Sequence, residues 1–242
     1  MSAPHAEPDN DLKAQLRART KQIGATPPPA GLALKRAIDI FGAVLGLLLL
    51  WPLLLALAVA VRLDSRGPAF FTQQRLGRWG RPFTLIKLRT MVKDAESKGA
   101  GLGIEKNDAR ITRVGNILRK TSLDEVPQLW NVLVGDMSFV GPRPLPVSYL
   151  ERWDERQQLR LVMPQGITGL SQVTMRNDGP WPERLEKDVE YLQQWSPGLD
   201  ARIFLQTLGK VFKRAGIETE EGGVKEFEGP SERAAAAEDD GA

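Results

Sequence analysis

Residues 40–61 read IFGAVLGLLLLWPLLLALAVAV, 22 residues without a charge, interrupted near the middle by Pro52. Roughly 20 apolar residues suffice for a helix to cross the hydrocarbon core of a bilayer, so the run predicts a membrane-embedded helix. A proline in a helix interior removes one backbone hydrogen bond and kinks the axis. Lys35 and Arg36 precede the run, and Arg62 and Arg66 follow it. The basic residues that mark a cytoplasmic flank therefore stand on both sides. Proline and symmetric charge together predict a re-entrant helix–break–helix over 32–64, with Pro52 at the break and both flanks on one face. A plain crossing is the competing arrangement. Trp51, beside the break, would lie deep in the lipid, and the pattern supplies no reason for it. Ala56-Leu57-Ala58 imitates a signal-cleavage site, but the leader and the apolar run are both too long for a secretory signal.

Outward from this segment, residues 1–31 are polar and end in Ala25-Thr26-Pro27-Pro28-Pro29, which reads as a disordered leader and linker. Residues 218–242 read as an acidic disordered tail, and 65–217 as the folded domain. The tail holds nine acidic residues against Lys225 and Arg233, a net of −7, so the +3 chain carries +10 over 1–217. A basic body beside a membrane segment suits anionic headgroups or phosphorylated substrates. No helix-turn-helix, zinc-finger or RNA-binding signature appears, so nucleic acid is not the expected partner.

The chain has no cysteine and a single histidine, His5, in the polar leader. Thiol nucleophiles, cysteine-ligated metals and histidine triads are excluded. Chemistry must come from carboxylates, Lys, Arg and hydroxyls.

Residues 69–73 and 83–89 read as short strands, the second placing Lys87 and Arg89 on one face by its period of two. Residues 93–107, with three glycines, read as a mobile loop or as a short helix ending in one. Helices are predicted at 111–119, 123–133, 146–162, 181–195 and 199–214, the last basic and amphipathic, as an interfacial helix would be. The expected class is α/β, mainly α with a small β element. Gly42-x-x-x-Gly46 has the spacing of a helix-packing motif, a weak signal in a glycine-tolerant membrane segment.

Thr121-Ser122-Leu123-Asp124-Glu125-Val126-Pro127 sets two carboxylates at the start of the 123–133 helix, where free N–H groups favour an anion. Spacing alone is equally that of a capping box, Ser122 with Glu125. Pro127 conflicts with a Ser122 cap and sits better if Asp124 is the cap. Downstream, Arg143 lies between Pro142 and Pro144, which restrict its backbone and suit a guanidinium aimed at phosphate or carboxylate. A solvated arginine in a proline-rich turn is the plain alternative. Arg110, Arg113, Arg119 and Lys120 precede the acidic pair. Carboxylates ringed by cations are the residue types that phosphoryl transfer requires.

These blocks resemble the bacterial sugar transferases, the monotopic polyprenyl-phosphate phosphoglycosyl transferases in their short form. The likeness rests on Lys35-Arg36-x-x-Asp39, Gly67-Pro68-x-x-Phe71-x-Gln73-x-Arg75-x-Gly77 and Phe83-x-x-x-Lys87-x-Arg89-x-Met91. It continues through Asp108-x-Arg110-Ile111-Thr112, Leu118-Arg119-x-Thr121-Ser122-Leu123-Asp124-Glu125-x-Pro127-Gln128-Leu129, Gly135-Asp136-Met137-Ser138-x-Val140-Gly141-Pro142-Arg143-Pro144 and Gly166-Ile167-Thr168-Gly169, covering about 32–215.

The resemblance implies transfer of a phosphosugar from a UDP-sugar to polyprenyl (undecaprenyl) phosphate with release of UMP, early in exopolysaccharide assembly. It implies Asp124 as nucleophile, Glu125 as its helper, Mg²⁺ against the pair, and Lys87, Arg89, Arg119, Arg143 and Arg176 as substrate-binding residues. It also implies the re-entrant helix broken at Pro52 and a cytoplasmic catalytic domain on the bacterial inner membrane. The bilayer is then a partner, and a homodimer is held open. An inactive membrane adaptor for polysaccharide assembly is the rival, and the intact acidic pair speaks against it. Two departures, Gln165 inserted in Pro164-Gln165-Gly166 and Thr174-Met175 before Arg176, fall where the donor is expected.

Overall fold

A computed structural model describes residues 10–93, 95, 108–175 and 180–214, with backbone alone for 211–214. Helix α1 spans Asn10–Gln22 and α2 spans Pro29–Asp64. Strands β1 (Phe70–Leu76) and β2 (Pro82–Leu88) form an antiparallel hairpin with Phe71 opposite Lys87 and Arg75 opposite Phe83. Helix α3 (Arg113–Thr121), a 3-10 turn over Leu123–Glu125 and α4 (Gln128–Val134) follow. Strands β3 (Met137–Val140) and β4 (Gln165–Thr168) pair in parallel, and α5 (Leu170–Thr174), α6 (Trp181–Gln194) and α7 (Pro197–Arg214) complete the body. The class is mainly helical with two small sheet elements, as expected.

Helix α2 is assigned as helix through Pro52 without interruption. The break expected there is therefore not a gap in the helix, although the proline still lacks its N–H. Only 6% of its most apolar stretch is buried. Leu48, Leu49, Trp51 and Leu55 are all at least 60% exposed, which a core helix of a soluble domain would not tolerate. By length and composition α2 can cross a membrane.

Both ends of α2 are tied to one body. Near its start, Arg36 donates to the Val132 and Leu133 carbonyls at the end of α4 (2.5 and 2.6 Å). Asp39, buried, accepts from Ser138 Oγ and the Phe139 N–H. At its end, Asp64 accepts from the Val114 N–H at the start of α3 (3.0 Å), and Val61 packs with Leu88 and Leu118. The Gly42-x-x-x-Gly46 pair is used within the chain: a Cβ there would meet Phe139 at 2.7 Å and Leu129 at 2.9 Å.

The leader departs from expectation. From Asn10 it is helical, and Leu16 is fully buried among Tyr149, Trp153 and Leu161 in the main core. Leu12 packs against the same core, and apolar residues so placed outweigh a polar composition, because each fully buried leucine contributes about 2 kcal/mol. Residues 1–9 and the acidic tail lie outside the described residues.

The helix expected over 146–162 is two 3-10 turns, Val147–Arg152 and Gln157–Val162. Asp154 and Gln157 explain the division. Each accepts a hydrogen bond from the other's backbone N–H (2.7 and 3.2 Å), a reciprocal cap that restarts the chain.

Candidate active site

The 123–133 helix of the sequence reading is divided by Pro127. Its missing N–H makes it the residue before α4 rather than an interior one. Asp124 and Glu125 thereby fall in the tight turn between α3 and α4. Ser122 enters that turn in the left-handed region (φ 58, ψ 18) and makes no side-chain cap. Neither capping scheme is realised: Glu125 turns away from Ser122 towards two cations.

Lys87 Nζ donates to Glu125 Oε1 at 2.6 Å, and Arg143 donates to the same oxygen at 3.2 Å. Lys87 reaches it because Asn131, on α4, docks as though it were another strand. Its amide accepts from the Ile86 N–H (3.1 Å) and donates to the Thr84 carbonyl (2.8 Å), binding α4 to the edge of β2. Arg143 is held from behind. Its carbonyl accepts from Arg160 (2.6 Å), whose guanidinium also pairs with Asp188 in the interior (2.7 Å). The turn before it crosses β4 at backbone distance: a Cβ on Gly141 would lie 2.1 Å from the Pro164 carbonyl oxygen, so only glycine fits.

Asp124 is 9% exposed. Burial raises its carboxyl and neighbouring Glu125 adds to this, against the pull of Lys87, Arg119 and Arg143. Burial acts on Glu125 in the same sense, yet Lys87 and Arg143 outweigh it and lower its carboxyl to about 2. Adjacent carboxylates are thus pushed in opposite directions, one towards its neutral form and one locked as an anion. Such divergence within one site is how two like groups take different roles.

Arg119 donates to Thr90 Oγ1 (2.8 Å) and adds its charge at Asp124. Arg89 does not join them. Its guanidinium donates to the carbonyls of Ser65, Arg66 and Pro68 (2.6 to 3.0 Å), clasping the segment that leaves α2. Lys87 and Arg89 were expected on one face, but β2 ends at Leu88 and the two side chains diverge. Arg110, buried, is paired with Asp108 (2.6 Å). Arg176 lies outside the described residues. Gln165 is fully buried and donates to the Met163 carbonyl (3.1 Å). Its side chain is part of the core, and its neighbours Gly166 and Ile167 line the site instead.

A cleft opens beside the pair, with Arg75, Lys87, Glu125 and Arg143 as its charged lining and Leu85 and Ile167 as apolar walls. Arg75 was not singled out as a site residue. The alternation Phe71-x-Gln73-x-Arg75 carried the signal, since hairpin pairing puts those residues on the face that also holds Leu85 and Lys87.

The chain thus sets a buried carboxylate beside a cation-clamped one, on a body that exposes a long apolar helix. A family model described as bacterial sugar transferase matches residues 30–214, and the chain belongs to that family of transferases. EpsL of Bacillus subtilis, described as an uncharacterized sugar transferase, is 42% identical over 187 residues, covering 77% of this chain and 91% of that protein. The UDP-glucose:undecaprenyl-phosphate glucose-1-phosphate transferase of Escherichia coli is 44% identical over 187 residues, 74% of this chain but 40% of that one. The exopolysaccharide production protein ExoY of Rhizobium meliloti is 37% identical over 205 residues, 79% and 90% of the two chains. The chain thus spans most of two relatives and less than half of the third.

Proposed function

We propose that the protein transfers a sugar 1-phosphate from a UDP-sugar to polyprenyl phosphate by way of a covalent intermediate on Asp124. The observation that carries this reading is the pair itself: Asp124 buried, and Glu125 Oε1 held by Lys87 at 2.6 Å and Arg143 at 3.2 Å. The family match and the relatives' named activities support the donor and acceptor classes.

In the first step a carboxylate oxygen of Asp124 attacks the sugar-bearing phosphorus. The anhydride P–O bond breaks and its electron pair leaves on UMP. In the second step an oxygen of the lipid phosphate attacks the same phosphorus, the acyl-phosphate bond breaks, and Asp124 returns to its carboxylate. One anhydride is exchanged for another, so no outside energy source is needed. The residues supply charge neutralisation where anions meet: Lys87 and Arg143 at the non-bridging oxygens, Arg119 behind Asp124. Mg²⁺ would be held by Asp124 and Glu125 with the donor's phosphates. That set suits an ion that takes one or two carboxylates and completes its shell from the substrate.

The two ties at the ends of α2 support an arrangement with both flanks on one face of the membrane, here the cytoplasmic face. Asp39 and Asp64 are separated by 25 residues, about 37 Å of straight helix. A plain crossing would draw the polar body that both residues bond along that length into the hydrocarbon.

The test is donor alone, followed by intact-mass analysis. Membrane-extracted protein incubated with a panel of UDP-sugars should gain a phosphosugar mass on Asp124, and Asp124→Asn should gain none. A competent preparation that releases UMP without that adduct removes the covalent step.

A further inference from the structure

Arg75 lines the same cleft as Lys87, Glu125 and Arg143, on a part of the hairpin that does not carry the acidic pair's ion pairs. Across the hairpin Arg75 faces Phe83 while Phe71 faces Lys87. Arg75 and Lys87 therefore share one face but stand four residues apart along it, about 13 Å at the rise of a strand. Lys87 marks the end where Glu125 is held next to Asp124. The Arg75 backbone stands four positions along the hairpin from that end, and its side chain belongs to the same lining. The Gln73 side chain accepts from its guanidinium, and its backbone bridges to Pro146, just past the Arg143 turn.

Charge points the same way. Among the residues lining the cleft, Arg75, Lys87 and Arg143 against Glu125 leave two positive charges, before Asp124 and an ion held at the pair are counted. The diphosphate of a nucleotide-sugar carries two negative ones, one on each phosphate. Lys87 and Arg143, which both touch Glu125, sit at the phosphorus that Asp124 attacks. The second charge of the donor then extends away from Asp124, towards Arg75.

We propose that Arg75 binds the phosphate that departs with the nucleotide, while Lys87 and Arg143 serve the phosphate that is transferred. This deepens the reading above and rests on it. When the anhydride bond breaks, its electron pair goes to an oxygen of UMP, and the Arg75 guanidinium offsets the charge that appears there. The second step has no UMP in the site and does not use Arg75.

The experiment uses the full chain in membrane-derived nanodiscs, with UMP and uridine as probes, because both are independent of which sugar the donor carries. Wild type is expected to bind UMP more tightly than uridine. Arg75→Ala should weaken UMP binding roughly 10- to 100-fold, as loss of a hydrogen bond to a charged group does. Its uridine affinity should be unchanged. Arg75→Gln, which keeps much of the side chain, provides the same comparison if the alanine variant does not fold. A variant that keeps wild-type UMP affinity, or that loses UMP and uridine equally, overturns the assignment to Arg75. Wild type with no affinity for UMP overturns the assignment together with the reaction it rests on.

Discussion

Burial raises the Asp124 carboxyl, while Lys87 and Arg143 hold Glu125 at about 2 one residue away. A carboxyl raised in the folded state binds its proton more tightly than the unfolded chain does. Ionised Asp124 therefore costs stability at neutral pH, and that cost is relieved as pH falls through its folded value. Asp124→Asn should melt higher than wild type, by about 2–4 °C for each kcal/mol relieved, while transfer is lost. The attacking form is the carboxylate, so kcat/KM should fall on the acid side with a limb above the ordinary aspartate range. A limb at or below that range would contradict the buried assignment. Glu125 has the opposite sign. Its stabilisation is full above its ordinary value of 4.5 and is lost as pH falls towards about 2. Glu125→Gln should cost roughly 3 kcal/mol at neutral pH. In denaturant titrations that gap should narrow below about pH 4.5, and a pH-independent gap would mean that packing rather than charge holds the side chain.

Element by element, the site is assembled by α4. Its N-terminal side brings the acidic turn, its Asn131 grips the edge of β2, and its C-terminal carbonyls are taken by Arg36 of α2. Asn131 is 1% exposed, so removing it leaves a strand N–H and a carbonyl inside the protein without partners. Asn131→Ala should destabilise by about 2–4 kcal/mol. It should also weaken donor use more than Trp130→Ala does, Trp130 being an exposed neighbour on the same helix. Equal effects would assign Asn131 no part in bringing Lys87 to Glu125.

For the whole molecule, the arrangement at the membrane is open to direct measurement because the chain has no cysteine. Lys21 and Arg66 are both exposed and lie before and after α2. Single cysteines at the two positions should both react with an impermeant thiol reagent from the cytoplasmic side only. Labelling of one from outside the cell would mean that α2 crosses, and that the bonds of Asp39 and Asp64 to one body do not both persist in the membrane.

Local pattern was enough for the apolar segment, the acidic pair, the hairpin strands and the helices at 111–119, 181–195 and 199–214, since these depend on periodicity; the helix read over 123–133 is divided at Pro127. The same pattern misjudged α1, whose Leu12 and Leu16 matter only because a core lies under them. It also misjudged 146–162, where a reciprocal cap between Asp154 and Gln157 overrode helical spacing. The arginines were legible only in part: the prolines around Arg143 and the family resemblance pointed it at an anion, while Arg89 was expected at the substrate and Arg75 was given no role. In the structure Arg75 lines the cleft, Arg89 clasps three carbonyls and Arg143 touches Glu125. Composition determines which charges a chain can offer. Only the folded backbone decides where each is aimed, because a guanidinium takes whichever acceptors tertiary packing brings within about 3 Å.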